Sequence, residues 1–510
     1  MDIITEIQET DDQVEGKAKN NDAEKASQSS IWKEKAEPLS PVSLVFHEPR
    51  TYCCIIAIMG CKTKLDPGVV KEGLKHTLIK HPRFSSKLEM NGGKKRWIQT
   101  QVNVEDHVRV PEVDIEMECS TQYIEDYISN LTTTPIDLSK PLWELHLLNL
   151  KTPEAEAVGI LRIHHSLGDG MSLISLLLAC CRKSSNPEAL PTLPKTKQTD
   201  HSRNPHGLFW VFFAIWSTLR LILNTIVDIF IFVATVLFLK DTKTPLKGSS
   251  GVEHNPKRIL HRTVSLDDIK LVKDAMGMTV NDVILGITQA GLSRYLNRKY
   301  GEPFLPCSGA KQRPDNLPKN IRLRATVLVN VRPTAGIQAL ADMMKKKSKA
   351  KWGNQIGYIC IPFPIALRDD PLDYLRGAKA IADGKKQSLE SLVTYLTNKF
   401  VINLFGSKLS GILAYRVLFN TTMSFSNVVG PVEEISFYGH PIAFIAPTVY
   451  GHPQALTCHF QSYMNKMSIV VAVDPNVIPD PYLLCDDIQE SLKIFKDVVL
   501  TNLTAKGAFR

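Results

Sequence analysis

Apolar residues are distributed along this chain in two rhythms, and their alternation predicts a mixed fold. Apolar runs of strand length occur at Tyr52 to Met59, Val158 to Ile163, Ala325 to Asn330, Ile356 to Pro362, Ser424 to Val429 and Met467 to Val473. Between them, apolar side chains recur every three or four residues, the period of a helix with one buried face. Val69, Val70, Leu74, Leu78 and Ile79 mark such a helix over Pro67 to Lys80. His81-Pro82 ends it, because the residue before a proline is pushed out of helical geometry. The same period predicts helices over Ser120 to Asn130, Met171 to Cys181, Leu266 to Met276, Val280 to Asn297 and within Pro479 to Val498, and Arg96 to Val102 reads as a further strand. Strands mixed with helices in this way predict an α/β fold.

Three segments break the pattern. Residues 1–37 carry Asp11-Asp12, repeated Glu and Lys and the polar run Ser27 to Ser30, which predicts a disordered tail. Met1 to Glu9 has neither the basic start nor the apolar stretch of a secretory signal. Lys183 to Pro205, rich in Ser, Pro and Lys, reads as a linker. Leu208 to Leu239 is then strongly apolar, interrupted by Arg220, Asn224 and Asp228. Its part Leu221 to Leu239 is long enough to cross a hydrocarbon core, although an acidic residue at mid-bilayer costs about 2.5–3.5 kcal/mol. A span, a membrane hairpin, an interfacial helix and a buried linker helix are the readings open to it, and Lys240, Lys243 and Lys247 could meet anionic headgroups. These breaks divide the chain into the tail 1–37, a first domain over 38–184, a linker over 185–253 and a second domain over 254–510.

The chemistry concentrates at His164-His165-Ser166-Leu167-Gly168-Asp169-Gly170, directly after the strand Val158 to Ile163 and before the helix from Met171. A strand-to-helix junction holds side chains on rigid neighbours. Imidazole is a usable proton acceptor near neutral pH. Asp169, four residues beyond His165, can fix the shape of the loop by bonding a cation or a backbone amide. Gly168 and Gly170 permit positive φ and close approach of a substrate. A zinc site would need further ligands, and His76, His81, His452 and His459 do not stand at ligand spacing from the motif. No G-x-S-x-G elbow, Walker A loop or convincing G-x-G-x-x-G is present, which argues against a serine hydrolase and against nucleotide cradling.

Composition changes this picture little. With 510 residues, 44% hydrophobic and 22% charged, the chain suits about two folded domains. Ten dispersed cysteines without C-x-x-C read as reduced, buried thiols of a cytosol-facing protein, and the sequons at Asn130, Asn420 and Asn502 as unused. A net charge of +9 and the cluster Lys345-Lys346-Lys347, Lys349 and Lys351 describe a solvated face, or one that attracts CoA phosphates or a membrane surface. No pattern of aromatic and basic residues points to nucleic acid.

HHSLGDG resembles the HHxxxDG signature of the wax ester synthase/diacylglycerol acyltransferase family, within the CoA-dependent acyltransferases that carry H-x-x-x-D. Four more segments are similar to that family's motifs, in the family's order. Pro141-Leu142-Trp143-Glu144 resembles P-L-W, and Asn281-Asp282-Val283-Ile284-Leu285-Gly286 resembles N-D-V-V-L-A with departures at Ile284 and Gly286. Asn330-Val331-Arg332-Pro333 resembles N-x-R-P, and Ser426-Asn427-Val428-Val429-Gly430-Pro431 resembles S-N-V-x-G-P. The resemblance covers most of the chain outside the tail and the apolar stretch. It implies two related α/β domains with mixed sheets, a tunnel between them and the His165 loop at its middle. It further implies an O-acyltransferase that moves a fatty acyl group from acyl-CoA to a long-chain alcohol, to diacylglycerol or to both, without an acyl-enzyme, a metal or a cofactor beyond the co-substrate. His165 would be the general base, His164 would tune or orient the site, and Asp169 would hold the loop. Similar enzymes pair that aspartate with an arginine; Arg332 is a candidate, and the sequence leaves open which arginine serves.

The other motif residues also have plainer readings. Trp143 can be a core aromatic at the start of a strand, and Asn281 a helix N-cap with Asp282 favouring the positive end of a helix over Val283 to Tyr295. Ser426 and Asn427 can form a turn with Gly430 or donate hydrogen bonds to an oxyanion, and the turn is favoured for Gly430-Pro431. Gly170 completes the motif. Lipid substrates imply membrane lipids as partners and an endoplasmic reticulum membrane location facing the cytosol, with the plasma membrane as a second site. Nothing in the sequence indicates the oligomeric state. The rivals are a soluble acyltransferase for a small alcohol or amine, against which the missing D-F-G-W-G segment counts, and a non-catalytic lipid-binding protein.

Overall fold

The computed structural model describes residues 36–112, 119–194, 208–301, 315–332 and 352–507. The acidic and polar tail before residue 36, most of the linker before Leu208, Pro333 and the lysine cluster 345–351 lie outside the described residues.

The first part of the chain contributes β1 (Glu37–Pro38), α1 (Pro41–Val45), β2 (Cys54–Cys61), α2 (Pro67–His76), β3 (Ser86–Asn91), β4 (Lys94–Gln99) and β5 (Val108–Arg109). Next come α3 (Ser120–Thr133), β6 (Trp143–Leu148), β7 (Ala157–His164), α4 (Gly170–Cys180), β8 (Cys181–Lys183) and the long apolar helix α5 (Leu208–Leu237). The rest supplies β9 (Arg258–Ser265), α6 (Leu266–Ala275), α7 (Val280–Gly301), β10 (Arg324–Asn330), β11 (Ile356–Pro362), α8 (Leu372–Lys386) and α9 (Glu390–Asn420). It ends with β12 (Met423–Val428), β13 (Ile435–Phe437), β14 (His440–Tyr450), β15 (Leu456–Tyr463), β16 (Lys466–Val473) and α10 (Pro481–Gly507).

Two large mixed sheets organise these elements. One has seven strands in the order β5-β6-β7-β2-β14-β13-β8, and the other six in the order β11-β10-β12-β15-β16-β9. The small β1-β4-β3 sheet flanks them. β2 and β7 read as nearly unbroken apolar runs because they are buried on both faces. One core gathers Ile56, Trp143, Leu145 and Ile160 around the seven-stranded sheet, and a second gathers Ile284, Leu375, Phe460 and Ile488 around the six-stranded one.

The sheet topology crosses the expected division at residue 254. β14 pairs antiparallel with β2, Ala446 opposite Ile58, and β13 bridges β14 to β8. Two strands from the late part of the chain therefore complete the sheet of the first part. The physical reason is an open edge: β7 covers one side of β2, and the apolar run around β14 pairs with the other.

The apolar helix α5 packs along α9. Two of its three polar interruptions are turned inward, while Arg220 is exposed. Asp228 pairs with Lys385 at 2.7 Å, and Asn224 Nδ2 donates to the Gln387 carbonyl at 3.1 Å. Beyond the helix, Asp241 Oδ1 accepts from Arg324 Nε at 2.6 Å and Asp241 Oδ2 from Thr422 Oγ1 at 2.7 Å, which ties this segment to β10 and β12. α9 is a folded pair of arms. Gly406 sits at φ 83°, where a side chain would be strained, and the chain reverses there so that Ser410 Oγ reaches Asn398 Oδ1.

Candidate active site

β7 ends at His164, and a single 3₁₀ turn, His165–Leu167, leads into α4. The backbone of both histidines is held from two sides. The His164 N–H donates to the Leu142 carbonyl at 3.0 Å and the His165 N–H to the Cys53 carbonyl at 2.9 Å. All three carbonyls of the turn are then taken by side chains from elsewhere. Asn354 Nδ2 donates to His165 O at 2.8 Å, Ser43 Oγ to Ser166 O at 3.0 Å, and Trp352 Nε1 to Leu167 O at 2.6 Å. The His165 ring stacks on Phe46, centroids 4.3 Å apart.

Asp169 caps α4 and anchors the loop. Its Oδ1 accepts from the Ser172 N–H at 3.0 Å and from Ser172 Oγ at 3.1 Å, and its Oδ2 accepts from Arg332 Nη1 at 2.7 Å and from the Gln355 N–H at 3.0 Å. Arg332 donates further to Asn330 Oδ1 at 2.9 Å and to the Gly353 carbonyl at 2.5 Å. With four donors on one carboxylate, Asp169 has no lone pair to spare for proton abstraction. Neither glycine of the motif uses the positive φ expected of it: Gly168 is extended at φ 173° and Gly170 opens α4. Gly168 is needed for closeness, since a Cβ there would stand 2.9 Å from Ser172 Cβ.

A cavity of about 510 Å³ opens at His165, within the range of small-molecule sites. Apolar residues of β2, β7, α2 and α4, such as Ile55, Met59, Leu74, Leu161, Ile163 and Leu177, line much of it. Asn330, Ser424, Ser426, Asn427, His459 and Gln461 of the six-stranded sheet face it from the other side, and Asp169 and Gly170 border it. The site therefore lies between the two sheets. Ser426 and Asn427 belong to strand β12 and not to a turn, with Ser426 in register with His459 of β15. Gly430 follows the strand and donates its N–H to Ser462 Oγ at 3.1 Å.

His164 and Trp143 do not line this cavity. The His164 ring stacks on His47 at 4.3 Å, meets Tyr52 edge-on and places Nδ1 2.7 Å from Ser166 Oγ. His164 thus holds its neighbour and does not face the cavity. Trp143 is a fully buried core residue whose Nε1 donates to the Phe84 carbonyl at 2.9 Å. Asn281 is not the cap of α7. Thr279 caps it, with its N–H donating to Asp282 Oδ2 at 2.8 Å and its Oγ1 accepting from the Asp282 N–H at 3.3 Å. Asn281 Oδ1 instead accepts from Asn427 Nδ2 at 2.7 Å, joining two motifs far apart in sequence.

Burial dominates the electrostatics. It lowers the His165 pKa below the usual 6.5, against the opposing pull of its own carbonyl, the Asp169 charge and Asn354. His164 is pushed well below that value by burial and then by its neighbours His47 and His165. Burial also takes His459 and His452 down to about 3. His165 is thus a neutral imidazole at neutral pH, ready to accept a proton. Among the described residues no cluster of three or more His, Cys, Asp or Glu side chains could hold a metal ion.

Several residues of the site carry no signal in the sequence. Phe46, Ser43, Ser172, Trp352, Asn354 and Gln355 act through ring stacking or through bonds to backbone atoms. His459, set aside for its distance along the chain, shares the cavity with His165.

Residues 63–284 match the model of the wax ester synthase/diacylglycerol acyltransferase catalytic domain, and residues 352–496 match the WS/DGAT C-terminal domain. The relative named wax ester synthase/diacylglycerol acyltransferase 11 of Arabidopsis thaliana is 56% identical over 469 residues, covering 91% of this chain and 95% of that protein. This chain belongs to the wax ester synthase/diacylglycerol acyltransferase family. As a member of it, the protein is an acyltransferase. The Arabidopsis protein named wax ester synthase/diacylglycerol acyltransferase 5 is 54% identical over 486 residues, covering 91% of this chain and 94% of its own. Among solved structures, the wax ester synthase/diacylglycerol acyltransferase from Marinobacter aquaeolei VT8 aligns with a TM-score of 0.56 at 17% identity, covering 91% of this chain and 99% of that one. The first condensation domain of the calcium-dependent antibiotic synthetase, with a substrate analogue, aligns with a TM-score of 0.55 at 12% identity, covering 91% of this chain and 96% of that one. At these identities the structures speak for the fold, the expected two-part α/β architecture with mixed sheets.

Proposed function

We propose that this acyltransferase moves a fatty acyl group from acyl-CoA to the hydroxyl of a long-chain alcohol, of diacylglycerol or of both, with the long-chain alcohol ranked first. The observation that carries this reading is the buried His165 set into an apolar cavity of about 510 Å³ between the two sheets, where burial lowers its pKa. The acceptor oxygen attacks the thioester carbon while His165 takes the hydroxyl proton. The carbonyl oxygen becomes an oxyanion, for which the Ser426 hydroxyl, on the cavity wall and without a partner among the described residues, is a donor. The carbon–sulfur bond then breaks, and the departing CoA thiolate takes the proton from His165. Transfer is direct, without an acyl-enzyme and without a cofactor beyond the co-substrate.

We further infer that the protein works at the endoplasmic reticulum membrane facing the cytosol, with the plasma membrane as a second site. The exposed apolar rings of Phe212, Phe213, Trp216 and Phe230 on α5 and of Phe400 and Phe405 on α9 support a lipid-facing surface. Each arm of α9 is shorter than the roughly 20 residues of a membrane span, and Asp228 on α5 is engaged by Lys385. Both features favour helices seated in one leaflet over helices that cross it.

The test is acyl transfer from labelled palmitoyl-CoA to hexadecanol, diacylglycerol or a small alcohol, with wild type and His165→Ala compared. The wild-type protein is expected to esterify the long-chain acceptors, and His165→Ala to lose about 100-fold or more of that rate with an unchanged unfolding midpoint. Substantial activity in the variant sinks the base assignment, and transfer to the small alcohol alone sinks the acceptor.

A further inference from the structure

A second cavity, about 210 Å³, lies where α5 meets both arms of α9. Phe232 and Val236 of α5, Val401 of the first arm and Leu413 and Ala414 of the second enclose it, and Tyr358 of β11 lines it. Tyr358 is only 9% exposed, and its hydroxyl has no hydrogen-bond partner among the described residues. No described residue satisfies that hydroxyl and its oxygen is not fully enclosed, so an oxygen arriving in the cavity can bond to it.

This cavity is adjacent to the catalytic one through a shared strand pair. Tyr358 stands opposite Leu328 in the β10–β11 ladder, and Ile356 lies two residues back on the same face. Leu328 and Ile356 line the His165 cavity. On its outer side the second cavity is bordered by Val233 and Leu237, which are exposed and continue into the apolar surface of α5 and the α9 tip. One end therefore meets a lipid-facing surface and the other a wall of the active site.

We propose that this cavity binds the alkyl chain of a hydroxyl-bearing membrane lipid, with the Tyr358 hydroxyl bonded to the lipid oxygen, and holds the acceptor on its way to His165. The proposal rests on the acyl-transfer reading above. A plain phospholipid chain from the leaflet would offer the same aliphatic chemistry without the hydroxyl, so the two sources are separated by competition.

The experiment is photolabelling of the His165→Ala protein on vesicles with a diazirine-bearing long-chain alcohol, so that labelling reports binding without turnover. Label is expected on residues 229–237 and 393–417, displaced by hexadecanol and not by hexadecane, and Tyr358→Phe is expected to abolish that preference. No label there, or label that a diazirine phospholipid gives equally and hexadecanol does not displace, overturns the proposal. With active protein, Ala414→Phe, which fills the cavity, is expected to lower the ratio of kcat/KM for hexadecanol to that for butanol by about ten-fold; an unchanged ratio overturns it. Failure of the acyl-transfer reading itself is seen separately, as no ester formed by wild type with any acceptor.

Discussion

Asp169 and Arg332 form a buried pair whose other bonds hold Ser172, Gln355, Asn330 and Gly353 in place. Removing one charge from such a pair leaves the other without compensation, a loss of about 3–5 kcal/mol. Asp169→Asn also turns an NH₂ group toward atoms that are themselves donors. The variant is expected to melt earlier and to lose activity together, measured as an unfolding midpoint and as kcat/KM, and an unchanged midpoint would count against the anchoring role. At this scale the sequence is informative where chemistry is contiguous. His165, Asp169 and Gly170 stand in one heptapeptide, and Arg332 in a short motif. Ser43, Asn354 and Trp352 act on carbonyl oxygens, and a donor aimed at a backbone atom produces no spacing pattern that could announce it.

Among the elements, β2 and β7 are legible because burial on both faces makes their sequences almost continuously apolar. β14 is hidden by Pro441 and Pro447, which interrupt an otherwise apolar run. α9 escapes notice because its two arms present separate apolar faces, and the reversal at Gly406 resets the period between them. That reversal places Phe400 and Phe405, 62% and 59% exposed, near a protruding tip. Burying a phenylalanine ring in lipid is worth about 1.5–3 kcal/mol. Replacing both rings by serine is therefore expected to reduce flotation with vesicles by more than ten-fold while circular dichroism stays as in wild type. Undiminished flotation would exclude the tip as the inserting part.

Over the whole molecule, several buried histidines stay neutral. Burial takes His47, His452 and His459 down to about 3, and His81 down to about 4. In the unfolded chain the same groups titrate near 6.5. Below that pH the unfolded state takes up protons that the native state refuses, so stability is fully present above it and falls as the solution is acidified. Each group removes up to about 1.4 kcal/mol per pH unit. Urea midpoints are expected to be level around neutrality and to fall steadily toward about pH 5; a flat profile would show that these histidines are charged in the folded protein.

The partners of the late strands are where patterning says least. Periodicity marks strands, but it does not say which edge a late strand will find. β2 finds its second neighbour only in β14. During synthesis, then, the strand bearing the backbone that orients His165 waits with one edge open until Tyr450 has left the ribosome, and an unpaired edge is a hazard for association with other chains. The catalytic loop is consequently locked only after residues far downstream of it, Trp352 and Asn354 among them, have been made.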